Sequence, residues 1–251
     1  MKLKEILRDR DSGAMELLKR AVSWMIEHPE CLQGAEQEET LEILLSERPS
    51  MSAFARLAER VKRDPSPAML ARVREELRIS DSAIARNMVD EMSSIAPAGV
   101  ITLSWSSTVV FAIRYCTHCF HEVNVLESLP GGEGKRLANT VGGFHARVKL
   151  HADNKLAEAA EQSSLGIIGA DTVFSDGAVI NKLLSATIGE TLKRQNKPLY
   201  VLASRWKFNT QKSGTFSMDP KDRKSFEIVP AELISGIITE DGIQNPSSID
   251  L

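Results

Sequence analysis

Asp171 stands just past the apolar run Leu165–Ala170, where a carboxylate is costly unless it is bonded or used. Asp176-Gly177 then makes a turn, and Asn181-Lys182 follows, opening the next expected helix. An amide and an ammonium are thereby brought to the same edge as the carboxylate. At this edge a functional reading of the carboxylate outweighs a structural one. A second group is Leu103-Ser104-Trp105-Ser106-Ser107-Thr108, hydroxyl-rich where a strand gives way to a helix. Free amides at a helix N-terminus and rotatable hydroxyls can surround a phosphate. The same serines are equally suited to capping the helix, and the two readings weigh evenly.

Pro130-Gly131-Gly132-Glu133-Gly134-Lys135-Arg136 offers close backbone approach at Gly131 and Gly132 and cations at Lys135 and Arg136. Its spacing fits neither the P-loop nor the dinucleotide fingerprint, so a turn and a helix start account for it more readily. Cys116-Thr117-His118-Cys119 has the C-x-x-C spacing of redox and zinc motifs, but it ends a helix instead of opening one, and no partner pair follows at a recognisable spacing. The expectation is buried free cysteines and no metal site. His118, His121, His145 and His151 carry no assignment.

The elements that must position these residues follow from the pattern of the chain. Its 251 residues are 42% hydrophobic and 26% charged, with a formal charge of -3, which excludes disordered, collagen-like and coiled-coil classes and argues against nucleic acid as the main partner. Three cysteines are too sparse for a disulfide framework, which points to the cytoplasm. The charged start Met1–Asp11 lacks the apolar core of a secretory signal. Ser93–Ile113 is long and uncharged, yet Pro97, Gly99 and its hydroxyls read as loop, buried strand and turn, not a membrane span.

Residues 1–94 read as a helical domain. Ser12 caps a helix that stops at Pro29, a weaker one carries Leu41–Leu45, and a third carries Met51–Val61. Ser66-Pro67 begins a fourth, and Ser80-Asp81 restarts the chain as a further helix ending near Met92. Residues 95–251 change texture to short β-branched runs alternating with helices, the mark of a mostly parallel sheet in an α/β fold. The strands expected are Val100–Leu103, Val123–Leu126, Val148–Leu150, Gly166–Gly169 and Leu199–Leu202, with a sixth at Phe226–Val229. Helices are expected around Thr108–Cys116, Gly134–Val141, Asn154–Gln162 and Lys182–Arg194. Lys207–Arg223 breaks the alternation as a polar excursion whose lysines read as solvated. Ligands of doubly wound sheets bind at the carboxyl ends of the strands, so the strand-to-helix loops are where function is sought.

Gly169–Lys182, Pro198–Ala203, Phe226–Ile234 and Thr239-Glu240-Asp241-Gly242 together resemble the translation initiation factor 2B alpha/beta/delta family. Ser12-Gly13-Ala14, Arg48–Met51, Ile101–Val110 and Glu127–Pro130 with Gly134 fall in the family's order, so the likeness spans nearly the whole chain. The resemblance implies a helical domain joined to a Rossmann-like domain of the ribose-phosphate-isomerase type, dimerising through the latter. It also implies one of two activities. Regulatory subunits of a nucleotide exchange factor bind sugar phosphates or nucleotides, whereas methylthioribose 1-phosphate and ribose 1,5-bisphosphate isomerases convert aldose to ketose with a cysteine and an aspartate. Asp171 matches that aspartate, and Asn181 and Lys182 match the substrate-contacting pair.

This chain departs from the isomerases at two points. Trp105 takes the place of the cysteine, and an indole cannot shuttle a proton between neighbouring carbons. Leu129 takes the place of an arginine that serves an anionic ligand, removing a guanidinium fork. Ser104–Val110 is instead similar to the regulatory subunits. The expectation is a non-catalytic or altered regulatory or assembly member. It would hold a sugar phosphate or nucleotide among Ser104–Thr108, Gly131, Gly132, Lys135, Arg136, Asp171, Asn181 and Lys182. The alternative is an aldose-ketose isomerase working through Asp171. A homodimer and a translation-factor partner are implied by the resemblance alone; no cofactor, nucleic acid or membrane partner is expected.

Overall fold

The computed structural model describes residues 2–9, 11–92 and 99–250. The boundary expected at 94 and the loop expected around Pro97 lie outside the described residues. Helices α1 (Leu3–Arg8), α2 (Ala14–Glu27), α3 (Gly34–Ser46) and α4 (Ser52–Arg63) come first. They bury Leu17, Leu18, Phe54 and Leu57 against one another because those residues recur at helical spacing. Ser12 does not cap α2. Gly13 occupies the cap position, and the Ser12 hydroxyl donates to Asp9 at 3.0 Å instead.

The break expected at Ser80-Asp81 is absent: α5 runs unbroken through Pro67–Met92, 26 residues. Ser and Asp interrupt helices by competing for nearby backbone groups, and here both are engaged sideways. Ser80 donates to Glu240 at 2.9 Å, while Asp81 accepts from Lys19 at 2.5 Å and from Thr108 at 2.9 Å. The first half of α5 packs Leu70, Val73 and Leu77 into the helical core, and its second half packs Ile84, Ala85 and Met88 against the sheet.

From residue 99 the chain alternates β1 (Gly99–Leu103), α6 (Ser107–Tyr115), β2 (Glu122–Leu126), α7 (Glu133–Gly142), β3 (Val148–His151), α8 (Leu156–Glu161) and β4 (Leu165–Ile168). After β5 (Thr172–Val173) and β6 (Val179–Lys182) come α9 (Ser185–Arg194), β7 (Leu199–Leu202), β8 (Phe226–Val229), β9 (Gly236–Thr239) and β10 (Gly242–Gln244). Seven strands form one sheet in the order β10-β9-β7-β4-β1-β2-β3, parallel throughout except for β10. All residues of β1, β4, β7 and β9 are buried, as apolar strands covered by helices on both faces must be. The mixed α/β architecture expected from the sequence is therefore present, a helical N-terminal region followed by a mostly parallel sheet.

Two local expectations are corrected. Asn181 and Lys182 end a strand instead of opening a helix, and α9 begins only at Ser185. Phe226–Val229 is a strand, but it joins the antiparallel sheet β5-β6-β8 and not the parallel one. The stretch from Asp171 to Lys182 is thus a hairpin, whose turn carries Gly177 at φ +79°, where a Cβ would run into the Pro246 carbonyl.

Candidate functional site

Strand order reverses beside β1: the chain moves to β2 and β3 on one side, then crosses back to β4 on the other. The carboxyl ends of β1 and β4 are the crevice this reversal opens. Ser104 leaves β1 and Gly169-Ala170-Asp171 leaves β4, and both segments line a cleft there. Gly169 lets the two loops meet, since a Cβ on it would stand 2.9 Å from the Ser106 hydroxyl oxygen. The opposite wall belongs to the helical region: Asp11–Met15, Arg48 and Met51.

The loop after β1 is locked in shape. Ser104 (φ 59°) and Ser128 (φ 66°) both adopt left-handed backbone that costs a non-glycine residue energy. The Ser104 amide donates to the Ser128 hydroxyl at 2.7 Å, and the Ser128 and Leu129 amides donate to Asp153 at 2.8 and 2.7 Å. Ser106 caps α6, its hydroxyl accepting from the Val109 amide at 3.3 Å. Capping and cleft lining coincide at this residue.

Trp105 is held by two partners. Its Nε1 donates to Glu16 at 3.2 Å, and the Arg136 guanidinium lies 3.6 Å from its ring centroid. Arg136 in turn donates to the Asp11 carbonyl at 2.6 Å. The indole therefore ties the loop after β1 to α2, with one face already taken by a cation. Such a ring serves as a wall, not as a free platform for a base.

Asp171 lies within the electrostatic reach of Lys207, Arg48, Asp222 and Lys182. Burial is the main cause that pushes its carboxyl up to about 6, with Lys207 and Arg48 opposing and Asp222 reinforcing. Its backbone amide donates to Ile180 at 2.8 Å, and among the described residues no side-chain hydrogen bond reaches its carboxylate. Lys207 is only 4% exposed, and burial lowers its ammonium while Asp171 holds it up. This lysine overturns the expectation that the excursion's lysines are all solvated. Among the described residues it has no ion pair or hydrogen bond from its ammonium, and it faces the cleft.

Lys182 is 2% exposed and is spent on Glu133, Nζ to Oε1 at 2.7 Å. The other oxygen of that carboxylate, Oε2, is buried without a partner among the described residues, and Glu133 lines the cleft. Asn181 also lines it, its amide donating to Ser185 at 2.9 Å. Ser104, Trp105, Ser106, Ser107, Asp171 and Asn181 are thus brought together as expected. Thr108 is buried on Asp81 instead. Gly131, Gly132 and Arg136 line a neighbouring shallow depression, and Lys135 pairs with Glu127 at 3.2 Å.

Lys207, Arg48 and Glu133 escaped sequence reasoning. Lys207 stands between Trp206 and Phe208 just past the apolar β7, a setting in which an isolated lysine is commonly buried along its stem. Arg48 is buried because its guanidinium donates to the Leu7 carbonyl at 2.6 Å and to the Asp9 carbonyl. Away from the cleft, Cys116 and Cys119 are joined as a disulfide, which corrects the reading of both as free; Cys31 is the free, buried one.

A hydroxyl-bearing loop, a carboxylate and a buried ammonium meet at the switch point of a doubly wound sheet, in a polar cleft of a Rossmann-like α/β protein beneath its helical region. The chain belongs to the initiation factor 2 subunit family, whose model matches residues 36–225. It is 29% identical to a Pyrococcus horikoshii protein provisionally named as translation initiation factor eIF-2B subunit 2-like, over 97% of this chain and 95% of that one. A protein of Methanothermobacter thermautotrophicus, provisionally named as methylthioribose-1-phosphate isomerase, is 27% identical over 86% of this chain and 79% of its own. The crystal structure of the Pyrococcus horikoshii translation initiation factor eIF-2B shares the fold at a TM-score of 0.80 and 24% identity, covering 97% of this chain and 95% of that one. No helix among the described residues is long and apolar enough to cross a membrane.

Proposed function

We propose that this protein binds a phosphorylated small molecule, a sugar phosphate or a nucleotide, in the cleft between β1, β4 and the helical region, as a regulatory or assembly member of its family. The observation that carries this reading is the pair of unspent groups on the cleft wall. The Lys207 ammonium lacks an ion pair among the described residues, and Glu133 Oε2 is a buried acceptor without a donor. An ammonium suits a phosphate, and a carboxylate oxygen suits a sugar hydroxyl. The amides and hydroxyls at the start of α6 add to the anion's side of the site.

An aldose-ketose isomerase acting through Asp171 is the second reading. It is favoured by a carboxyl pushed up to about 6, close to where a general base works best. Trp105 weighs against it, because the position of the family cysteine holds an indole fixed between Glu16 and Arg136. Phosphorus NMR with ribose 1,5-bisphosphate, methylthioribose 1-phosphate and adenosine monophosphate, each separately, tests both readings. Broadening without a new resonance supports the binding member, a new resonance supports the isomerase, and no change with any of them overturns the site. A partnership with translation factors and a homodimer rest on the family resemblance, and sedimentation of the purified chain tests the latter.

A further inference from the structure

Outside the cleft, the turn that ends α6 gathers three soft donors. The sulfurs of Cys116 and Cys119 and a ring nitrogen of His118 all lie within 4.8 Å of one another. We infer that this turn, in its reduced form, is a binding site for a borderline-soft divalent cation of the zinc type. Two thiolates and an imidazole are the donor set such a cation prefers over hard, oxygen-seeking ions. The third ligand, which a C-x-x-C pair alone lacks, comes from inside the same turn.

The backbone already holds the turn in place. The Cys116 amide donates to Ala112 and the Cys119 amide to Cys116, both at 3.0 Å. Cys116 is buried among Ile113, Phe120 and Val123, which gives the site a dry inner wall. Cys119 is half-buried and His118 exposed, so the outer side opens to water. Three protein ligands with a solvent molecule in the fourth position is a coordination zinc accepts.

Position on the helix separates this reading from a redox nucleophile. Both sulfurs stand at the carboxyl end of α6, whose dipole disfavours a bare thiolate and favours a cation. A metal ion compensates the two thiolates where the helix cannot. The bond between Cys116 and Cys119 must first be opened. A dithiol reductant supplies two electrons and two protons, giving two thiols and becoming a disulfide itself. Metal binding then releases the two thiol protons to solvent.

The test uses the full chain, reduced with dithiothreitol and desalted without oxygen, titrated with Co2+. The expected result is one equivalent of cobalt with the intense ligand-field bands of a tetrahedral thiolate site, displaced by Zn2+. His118→Ala, on an exposed residue, is expected to weaken binding by at least about tenfold, since losing even an outer partner of a metal site costs that much. Cys119→Ser removes the thiolate bands. Absence of tetrahedral bands in the reduced protein, or His118→Ala binding as tightly as the parent, overturns the assignment. Melting curves of the variants confirm that each is folded when measured.

Discussion

Lys182 Nζ lies 2.7 Å from Glu133 Oε1, so the ammonium that the sequence offers to a ligand is already neutralised by the first turn of α7. The pair joins the end of β6 to the start of α7, two segments far apart along the chain. Lys182→Ala therefore acts on folding before it acts on binding. Its loss leaves a partly buried carboxylate uncompensated, and the expected cost is about 3 kcal/mol in urea unfolding. A variant as stable as the parent would show that the pair contributes nothing.

Lys207 behaves in the opposite way. Replacing a desolvated ammonium that has no ion pair with an apolar side chain of similar length removes a burial cost, so Lys207→Met is expected to keep stability within about 1 kcal/mol of the parent. Affinity for a phosphorylated ligand is expected to fall about 10- to 100-fold, the worth of a charged hydrogen bond. Calorimetric titration with ribose 1,5-bisphosphate reads this directly. Equal affinity would remove Lys207 from the site.

Asp171 makes stability depend on pH in a defined window. Its carboxyl rises from 3.8 to about 6 on folding, so the folded state prefers the protonated form. The contribution is fully present below pH 3.8 and is lost as pH climbs through about 6. Asp171→Asn, which stays neutral, is expected to gain on the parent across that interval by roughly 2 to 3 kcal/mol and to run parallel to it outside. Denaturant midpoints measured from pH 3.5 to 8 test the sign. A difference that shrinks as pH rises would contradict the burial of this carboxylate.

Trp105 joins the sheet to α2 through Glu16 and Arg136. Trp105→Phe keeps a ring beneath the guanidinium but removes the donor to Glu16, with an expected loss of about 1 kcal/mol. Trp105→Ala removes both and is expected to lose more, with a coupling of about 0.5 to 1 kcal/mol to Arg136→Ala in a double-mutant cycle. Additive losses would mean that the guanidinium merely lies near the ring.

The parallel strands β1, β4 and β7 were legible because each is a short apolar run buried on both faces, and their order left Ser104 and Asp171 at one edge; β9, a parallel strand of four residues at the far side of β7, was not expected. The antiparallel hairpin was not, since β5 is only two residues long and β6 ends in the polar pair Asn181-Lys182. Ser80 and Asp81 misled for a local reason: their usual habit of breaking helices yields when Glu240, Lys19 and Thr108 occupy their side chains. Lys207 was passed over because the stretch it opens, through Arg223, is polar and lysine-bearing as a whole, although Trp206 and Phe208 flank it; in the fold it lines the cleft with Asp171. Charge in a sequence announces solvent, and only packing reveals an exception.

Helix α5 spans about 39 Å at the usual rise per residue, and its two halves complete two different cores. It is a shared girder. Cutting the chain before Pro67 would leave Leu70, Val73 and Leu77 bare to water, so the sheet cannot be isolated as a well-behaved fragment, and the helices cannot keep their core without the same rod. One half of α5 packs on the helices behind one cleft wall and the other on the sheet behind the second, so sliding one wall over the other would strip apolar surface from the same helix.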